Sequence, residues 1–197
     1  SGTIAIVGRP NVGKSALFNR IAGRRIAIVH DQPGVTRDRI TAEAEWNGRA
    51  FSLVDTGGIG LIPGEKSADI IATATVEQVN LAIEAADAII FVVDVQEGIV
   101  PLDEEVAQHL RQSGKPTVLA VNKADHAVAE DNAVEFAPLG FENIFPVSAL
   151  HDRGMSPLMT DALAHLPDEP STISHQPSTL NLAIVGRPNV GKSSIIN

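Results

Sequence analysis

The sequence predicts an α/β fold, a mostly parallel sheet of about six strands flanked by helices, and three observations carry that prediction. Apolar runs of strand length alternate with helically spaced segments from residue 1 to residue 166. The stretch Gly8-Arg9-Pro10-Asn11-Val12-Gly13-Lys14-Ser15 fits the phosphate-loop pattern, and it stands where that pattern needs to stand, between a short apolar run and a helix. Ala88-Ile-Ile-Phe-Val-Val93 is apolar without interruption, as in a strand covered on both faces, which right-handed crossovers in a parallel sheet produce.

In chain order, Ile4-Ala5-Ile6-Val7 reads as the first buried strand, and the helix from Ser15 to Ala22 stops at Gly23. His30 to Asp38 is polar and punctuated by Pro33-Gly34, a candidate mobile loop. Thr41–Trp46 and Ala50–Val54 flank Asn47-Gly48, the strongest two-residue hairpin signal, and so read as two antiparallel strands. Residues 59–68 hold too many breakers for regular structure. Ile70, Ile71, Ala74, Val79, Ala82 and Ile83 recur at helical intervals between Asp69 and Ala86. A strand at 88–93, a helix around 103–113, a strand at 117–121, a short helical segment near 126–137, a strand around 144–147 and a helix near 154–166 follow. Residues 167–180 contain three prolines and little apolar content, which reads as a linker. Beyond it, Leu182-Ala-Ile-Val-Gly-Arg-Pro-Asn-Val-Gly-Lys-Ser-Ser repeats the first phosphate-loop segment at an offset of 178 residues. The expected organisation is therefore a first nucleotide-binding domain at 1–166, a linker at 167–180, and the truncated start of a second such domain at 181–197 with Gly186, Gly191, Lys192 and Ser193 as its phosphate loop.

Composition narrows the chemistry. Without cysteine there are no disulfides or thiolate metal sites, and the six histidines show no ligand-like spacing. No apolar run of about 18 residues appears, so a cytoplasmic protein with no membrane partner is expected. The net charge of −9 argues against a general basic footprint for DNA. Residues 1–50 nonetheless carry 8 Lys/Arg against 4 Asp/Glu, a local excess that a bound polyphosphate accounts for.

The motifs specify a guanine nucleoside triphosphate. Gly8, Asn11, Val12, Gly13, Lys14, Ser15 and Ala16 form the expected phosphate cradle, with backbone N–H groups at a helix N-terminus favouring anions. Lys14 is placed to reach the β- and γ-phosphates, and Ser15 to offer its hydroxyl to Mg²⁺. Asp55-Thr56-Gly57-Gly58, at a strand end, can hold Mg²⁺ through water from Asp55 and direct the Gly58 N–H to the γ-phosphate; an Asx turn closing the strand is the competing reading. In Asn122-Lys123-Ala124-Asp125 one carboxylate can accept both the ring N–H and the exocyclic amine of guanine, a donor pair that adenine lacks. Lys123 can cover the base plane, Asn122 can tie this loop to the phosphate loop, and Ser148-Ala149 can bring a backbone N–H to the guanine oxygen.

Gly8–Ser15, Thr36, Asp55–Gly58, Asn122–Asp125 and Ser148-Ala149 resemble, in order, the five motifs of the translation-factor class of phosphate-loop GTPases. Two Gly-Arg-Pro-Asn-Val-Gly-Lys-Ser loops joined by a short linker, with Pro33-Gly-Val-Thr-Arg-Asp38 after the first, are similar to the Der (EngA) family of bacterial double-GTPases. That resemblance implies a GTP-to-GDP switch in ribosome assembly, Thr36 as a Mg²⁺ ligand, switches at 31–40 and 58–68, and the large ribosomal subunit as the partner of a full-length protein. Lys14, Thr36, Gly58 and Asn11 are then the candidate catalytic residues. Ras-like enzymes carry a water-orienting Gln after Asp-x-x-Gly, whereas Ile59 stands here and cannot hydrogen-bond. Similarity to potassium-dependent GTPases makes Asn11 a candidate K⁺ ligand; a purely turn-forming role for Asn11 is the alternative. Ile59 also leaves open a module that binds guanine nucleotide and barely hydrolyses it.

Overall fold

The computed structural model describes residues 2–23, 27–28, 40–56 and 67–167. Thr36, Gly58, most of the two expected switch segments, the linker from residue 168 and the repeated segment at 181–197 lie outside the described residues.

The six expected strands share one sheet, and a two-residue strand extends it to seven. They are β1 (Thr3–Val7), β2 (Ala27–Ile28), β3 (Ile40–Trp46), β4 (Arg49–Asp55), β5 (Ala88–Asp94), β6 (Thr117–Asn122) and β7 (Ile144–Pro146), in the order β2-β3-β4-β1-β5-β6-β7. β4, β1, β5, β6 and β7 run parallel, while β2 and β3 are antiparallel additions at one edge. Asn47 and Gly48 both take positive φ, 50° and 81°, the two left-handed steps of a tight hairpin turn, and they set the register Trp46 opposite Arg49.

Side chains alternate along each strand, so the sheet divides the apolar interior in two. Ile4 and Ile6 of β1 join Phe51, Leu53, Ile90 and Val92 against helices α1 (Lys14–Ala22) and α5 (Met155–Ala164). Ala5 and Val7 face the other way, with Ile89, Phe91, Val93, Leu119 and Val121, against α2 (Ala68–Ala85) and α3 (Pro101–Ser113). The short helix α4 (Ala127–Asp131) runs into a 3-10 helix (Asn132–Leu139), whose Phe136 is fully buried on that second face. Val79 and Ala82 of α2 are buried as its spacing predicts, but Ile70 in its first turn is 44% exposed.

Two devices fix the ends. Pro101 opens α3, and the Asp103 carboxylate reaches back to accept the Val100 N–H at 3.3 Å, half of a capping box. At the hairpin, the Arg49 guanidinium donates to the carbonyls of Leu163, Leu166 and Pro167 at 2.7, 2.9 and 3.0 Å, so it caps the C-terminal end of α5. Among the described residues no helix is long and apolar enough to cross a membrane.

Candidate functional site

The carboxyl ends of the parallel strands gather the motif residues. In an open α/β sheet this edge is where loops diverge and leave a crevice, so a site assembled there draws on several distant segments. The loop after β1 turns through Asn11, exposed with φ 68°, and Gly13, φ 95°, before α1 begins at Lys14. A Cβ on Gly13 would stand 2.3 Å from Nδ2 of Asn122, so only glycine lets the base loop come this near the phosphate loop.

Lys14 is 7% exposed, and its ammonium donates to the carbonyls of Gly8 and Arg9, both at 2.7 Å. Burial pushes its pKa down to about 8, partly opposed by the Asp55 carboxylate and reinforced by the Arg9 charge. Ser15 Oγ donates to Asp55 Oδ2 at 3.0 Å, across the gap between the start of α1 and the end of β4. Thr56 then pins that strand end to β1 by donating its hydroxyl to the Ile6 carbonyl at 2.9 Å.

The oxygen pair Ser15–Asp55 suits Mg²⁺, a hard cation that keeps several waters and takes its remaining ligands from substrate phosphates. Among the described residues no group of three or more His, Cys, Asp or Glu forms a self-sufficient metal cage.

Asn122, 3% exposed at the end of β6, joins three loops. Its Nδ2 donates to the Val12 carbonyl at 2.9 Å, and its Oδ1 accepts the Ala149 N–H at 3.1 Å. Lys123 takes φ 65° and directs its ammonium to the buried carboxylate of Asp94. Asp125 Oδ1 accepts the Ser148 hydroxyl at 2.6 Å, and that same hydroxyl oxygen accepts the His151 N–H at 3.1 Å. Arg153 closes the group: it exchanges two backbone hydrogen bonds with Ser148, donates to the Asp125 carbonyl at 3.1 Å and pairs with Glu130. Arg20 of α1 donates to the carbonyls of Ala149 and Leu150 at 2.8 and 2.7 Å, so the helix that starts in the phosphate loop also holds the loop after β7. The structure thus brings together Gly8, Asn11–Ala16, Asp55, Asn122, Lys123, Asp125, Ser148 and Ala149 on one edge.

Residues 3–123 match the family model described as 50S ribosome-binding GTPase. The chain belongs to this GTPase family. It is 52% identical over 194 residues to the GTPase Der of Symbiobacterium thermophilum, and 51% identical over the same length to that of Clostridium botulinum. These alignments cover 98% of the chain but 41% and 43% of the relatives, so the chain spans less than half the length of the curated proteins it matches. Among solved structures it superposes on Aquifex aeolicus Era bound to GDP·AlF₄⁻ with TM-score 0.67 and 32% identity, over 86% of this chain and 58% of that one. A second Era structure, with MgGDPNP and nucleotides 1506–1542 of 16S ribosomal RNA, is equally similar.

For a member of this GTPase family, the pattern reading singled out the motif positions and passed over those that brace them. Arg9, Asp94, Asp103 and Arg153 all contact motif residues or one another. Arg9 lies inside the phosphate-loop pattern at a position that admits any residue, and Asp103 looks like an ordinary acidic first-turn residue of a helix.

Proposed function

We propose that this chain is the first nucleotide-binding unit of a tandem GTPase of ribosome assembly, acting in the cytoplasm as a switch between GTP and GDP states. The observation that carries the reading is the Asn122 bridge. It joins a phosphate loop with its lysine and serine to a loop whose Asp125 carboxylate, held through Oδ1 by the Ser148 hydroxyl, suits guanine, so base selection and phosphate binding share one frame. Lys14 neutralises charge between the β- and γ-phosphates, backbone N–H groups of residues 13–16 hold the phosphate oxygens, and Asp125 accepts the two guanine donors. When bound at Ser15, Thr36 and the water shell of Asp55, Mg²⁺ supplies Lewis-acid polarisation of the phosphoryl oxygens. Gly58 directs its N–H to the γ-phosphate in the same reading.

Ile59 cannot orient the attacking water, so another group must do so; Asn11 would hold K⁺, which would supply positive charge beside the β- and γ-phosphates. The positive φ of Asn11 is compatible with both that role and a turn role, so the salt dependence decides between them. Membership of the family described as 50S ribosome-binding GTPase supports the ribosomal context. The large subunit is the partner we assign to the longer protein; the similar Era structure holds nucleotides 1506–1542 of 16S ribosomal RNA, which makes the choice of ribosomal partner a point for experiment. A second reading, a guanine-nucleotide module with negligible turnover, is favoured by Ile59 alone.

A multiple-turnover phosphate-release assay with GTP, in KCl and in NaCl at matched ionic strength, separates these readings. The switch reading expects turnover that is faster in KCl, with the difference abolished in Asn11→Ala while GDP binding persists. Equal rates in both salts remove K⁺ and leave Asn11 as a turn residue. Binding without turnover in either salt supports the module.

A further inference from the structure

Between β5 and α3 runs a corner, Asp94 to Asp103, that carries none of the nucleotide motifs, yet its acids reach both halves of the site. Asp94 is 1% exposed; one carboxylate oxygen receives the Lys123 ammonium and the other accepts the Gln96 N–H at 2.9 Å. The Val95 N–H donates to the Asn122 carbonyl at 3.0 Å, which adds a backbone tie to the base loop. At the far end of the corner Asp103 is fully buried, with Arg9 Nε 3.2 Å from its Oδ1 and 3.4 Å from its Oδ2. Glu97 pairs with Nη1 of the same guanidinium at 2.9 Å.

Burying a carboxylate is tolerated only where a cation and hydrogen bonds compensate it, and removing one partner leaves a costly unpaired charge. Two such carboxylates in one corner therefore hold two cations in fixed places. The cations serve different loops. The carbonyl of Arg9 accepts the Lys14 ammonium at 2.7 Å, so displacing Arg9 displaces the lysine cradle. Lys123 sits between Asn122 and Ala124, and displacing it moves the segment that carries Asp125.

We propose that this corner is a positioning element for guanine nucleotides, in which Asp103 acts through Arg9 on the phosphate loop and Asp94 acts through Lys123 on the base loop. The proposal rests on the guanine-nucleotide reading above. Because the two carboxylates act on different parts of the ligand, their loss leaves different signatures. GMP lacks the second phosphate that the loop cradles. Asp103→Asn is expected to weaken GDP by about tenfold and GMP by less than about twofold, the scale of one charged hydrogen bond lost. Asp94→Asn is expected to weaken GDP and GMP by the same factor, also about tenfold.

The experiment measures GDP, GMP and IDP by competition against a ribose-labelled fluorescent GDP, on the 197-residue chain with Mg²⁺ present. The GDP/GMP ratio is the readout for the phosphate arm and the GDP/IDP ratio for the base arm, because a purely structural loss scales all three affinities alike. A displaced Asp125 instead loses the exocyclic amine that inosine lacks, and the preference for GDP over IDP narrows. Should Asp103→Asn lack a cooperative thermal transition, Arg9→Gln removes the same pair from the other side and must show the same GDP-selective loss. Equal or absent changes for GDP and GMP in both Asp103→Asn and Arg9→Gln overturn the phosphate arm. An unchanged GDP/IDP ratio in Asp94→Asn, or a loss of GDP relative to GMP, overturns the base arm. Failure of the unmutated chain to bind GDP overturns the guanine reading itself, and the proposal with it.

Discussion

Replacing Asn122 by alanine is expected to cost about 2–5 kcal/mol of folding stability, an effect out of proportion to the few atoms removed. The side chain makes two buried hydrogen bonds, Nδ2 to the Val12 carbonyl at 2.9 Å and Oδ1 from the Ala149 N–H at 3.1 Å. Each lost bond leaves a buried backbone partner unsatisfied at a cost of roughly 1–2.5 kcal/mol, so the two together sum to about 2–5 kcal/mol. With a urea dependence of about 2 kcal/mol per molar, the unfolding midpoint should fall by about 1–2.5 M. Asn122→Asp refines the test. Its carboxylate still accepts from Ala149 but cannot donate to Val12, and burial raises its pKa in the folded state above the unfolded value. Such a group stabilises the fold below the unfolded pKa and loses that contribution as pH rises through the folded pKa. The deficit of Asn122→Asp relative to the unmutated chain should therefore shrink on acidification, as the protonated carboxyl regains a donor, while that of Asn122→Ala stays flat. A midpoint shift below about 0.3 M for Asn122→Ala would refute the reasoning, since it would mean that the two loops are held together by other contacts.

The remaining predictions concern ligand recognition, protonation and backbone geometry. Asp125→Asn should weaken GTP and shift preference toward xanthosine triphosphate, because an amide donates where the carboxylate accepted and xanthine presents an acceptor there; unchanged GTP affinity in a titration removes Asp125 from base reading. Since Lys14 has a pKa of about 8 in the free site and phosphates favour its charged form, GDP affinity should decline as pH rises past that value, and the decline should vanish in Lys14→Met. Gly154→Ala should destabilise by about 2 kcal/mol or more, read by thermal unfolding. A Cβ at that residue, with φ 68°, would stand 2.1 Å from the Pro146 carbonyl oxygen and push the loop away from β7.

The parts of the fold legible in the sequence are those whose cause is local. Alternation and apolar runs revealed the six longer strands, and Asn47-Gly48 revealed its hairpin because two left-handed residues in succession have few alternatives. Ala27–Ile28 escaped notice, as two residues cannot establish a period. Ile70 contributes to a helical spacing yet is 44% exposed, since periodicity shows that a face exists and not how far the neighbouring layer extends along it. In the site, each motif declares itself through spacing within a few residues. The bracing pairs do not: Arg9 and Asp103 lie 94 positions apart and Lys123 and Asp94 lie 29 apart, so their pairing is created by the strand order alone.

The Arg49 clasp on the end of α5 has a consequence for anything that follows it in the chain. By holding the carbonyls of Leu163, Leu166 and Pro167, it fixes the point of departure beside the β3–β4 hairpin. Gly186, the first residue of the repeated phosphate-loop segment, lies nineteen positions beyond Pro167. Nineteen residues reach at most about 65 Å even fully extended, so the repeated loop stays within that radius of the β3–β4 hairpin. Arg49→Ala removes that clasp, so the hairpin no longer sets where the chain leaves α5, while the contacts of the phosphate and base loops stay in place.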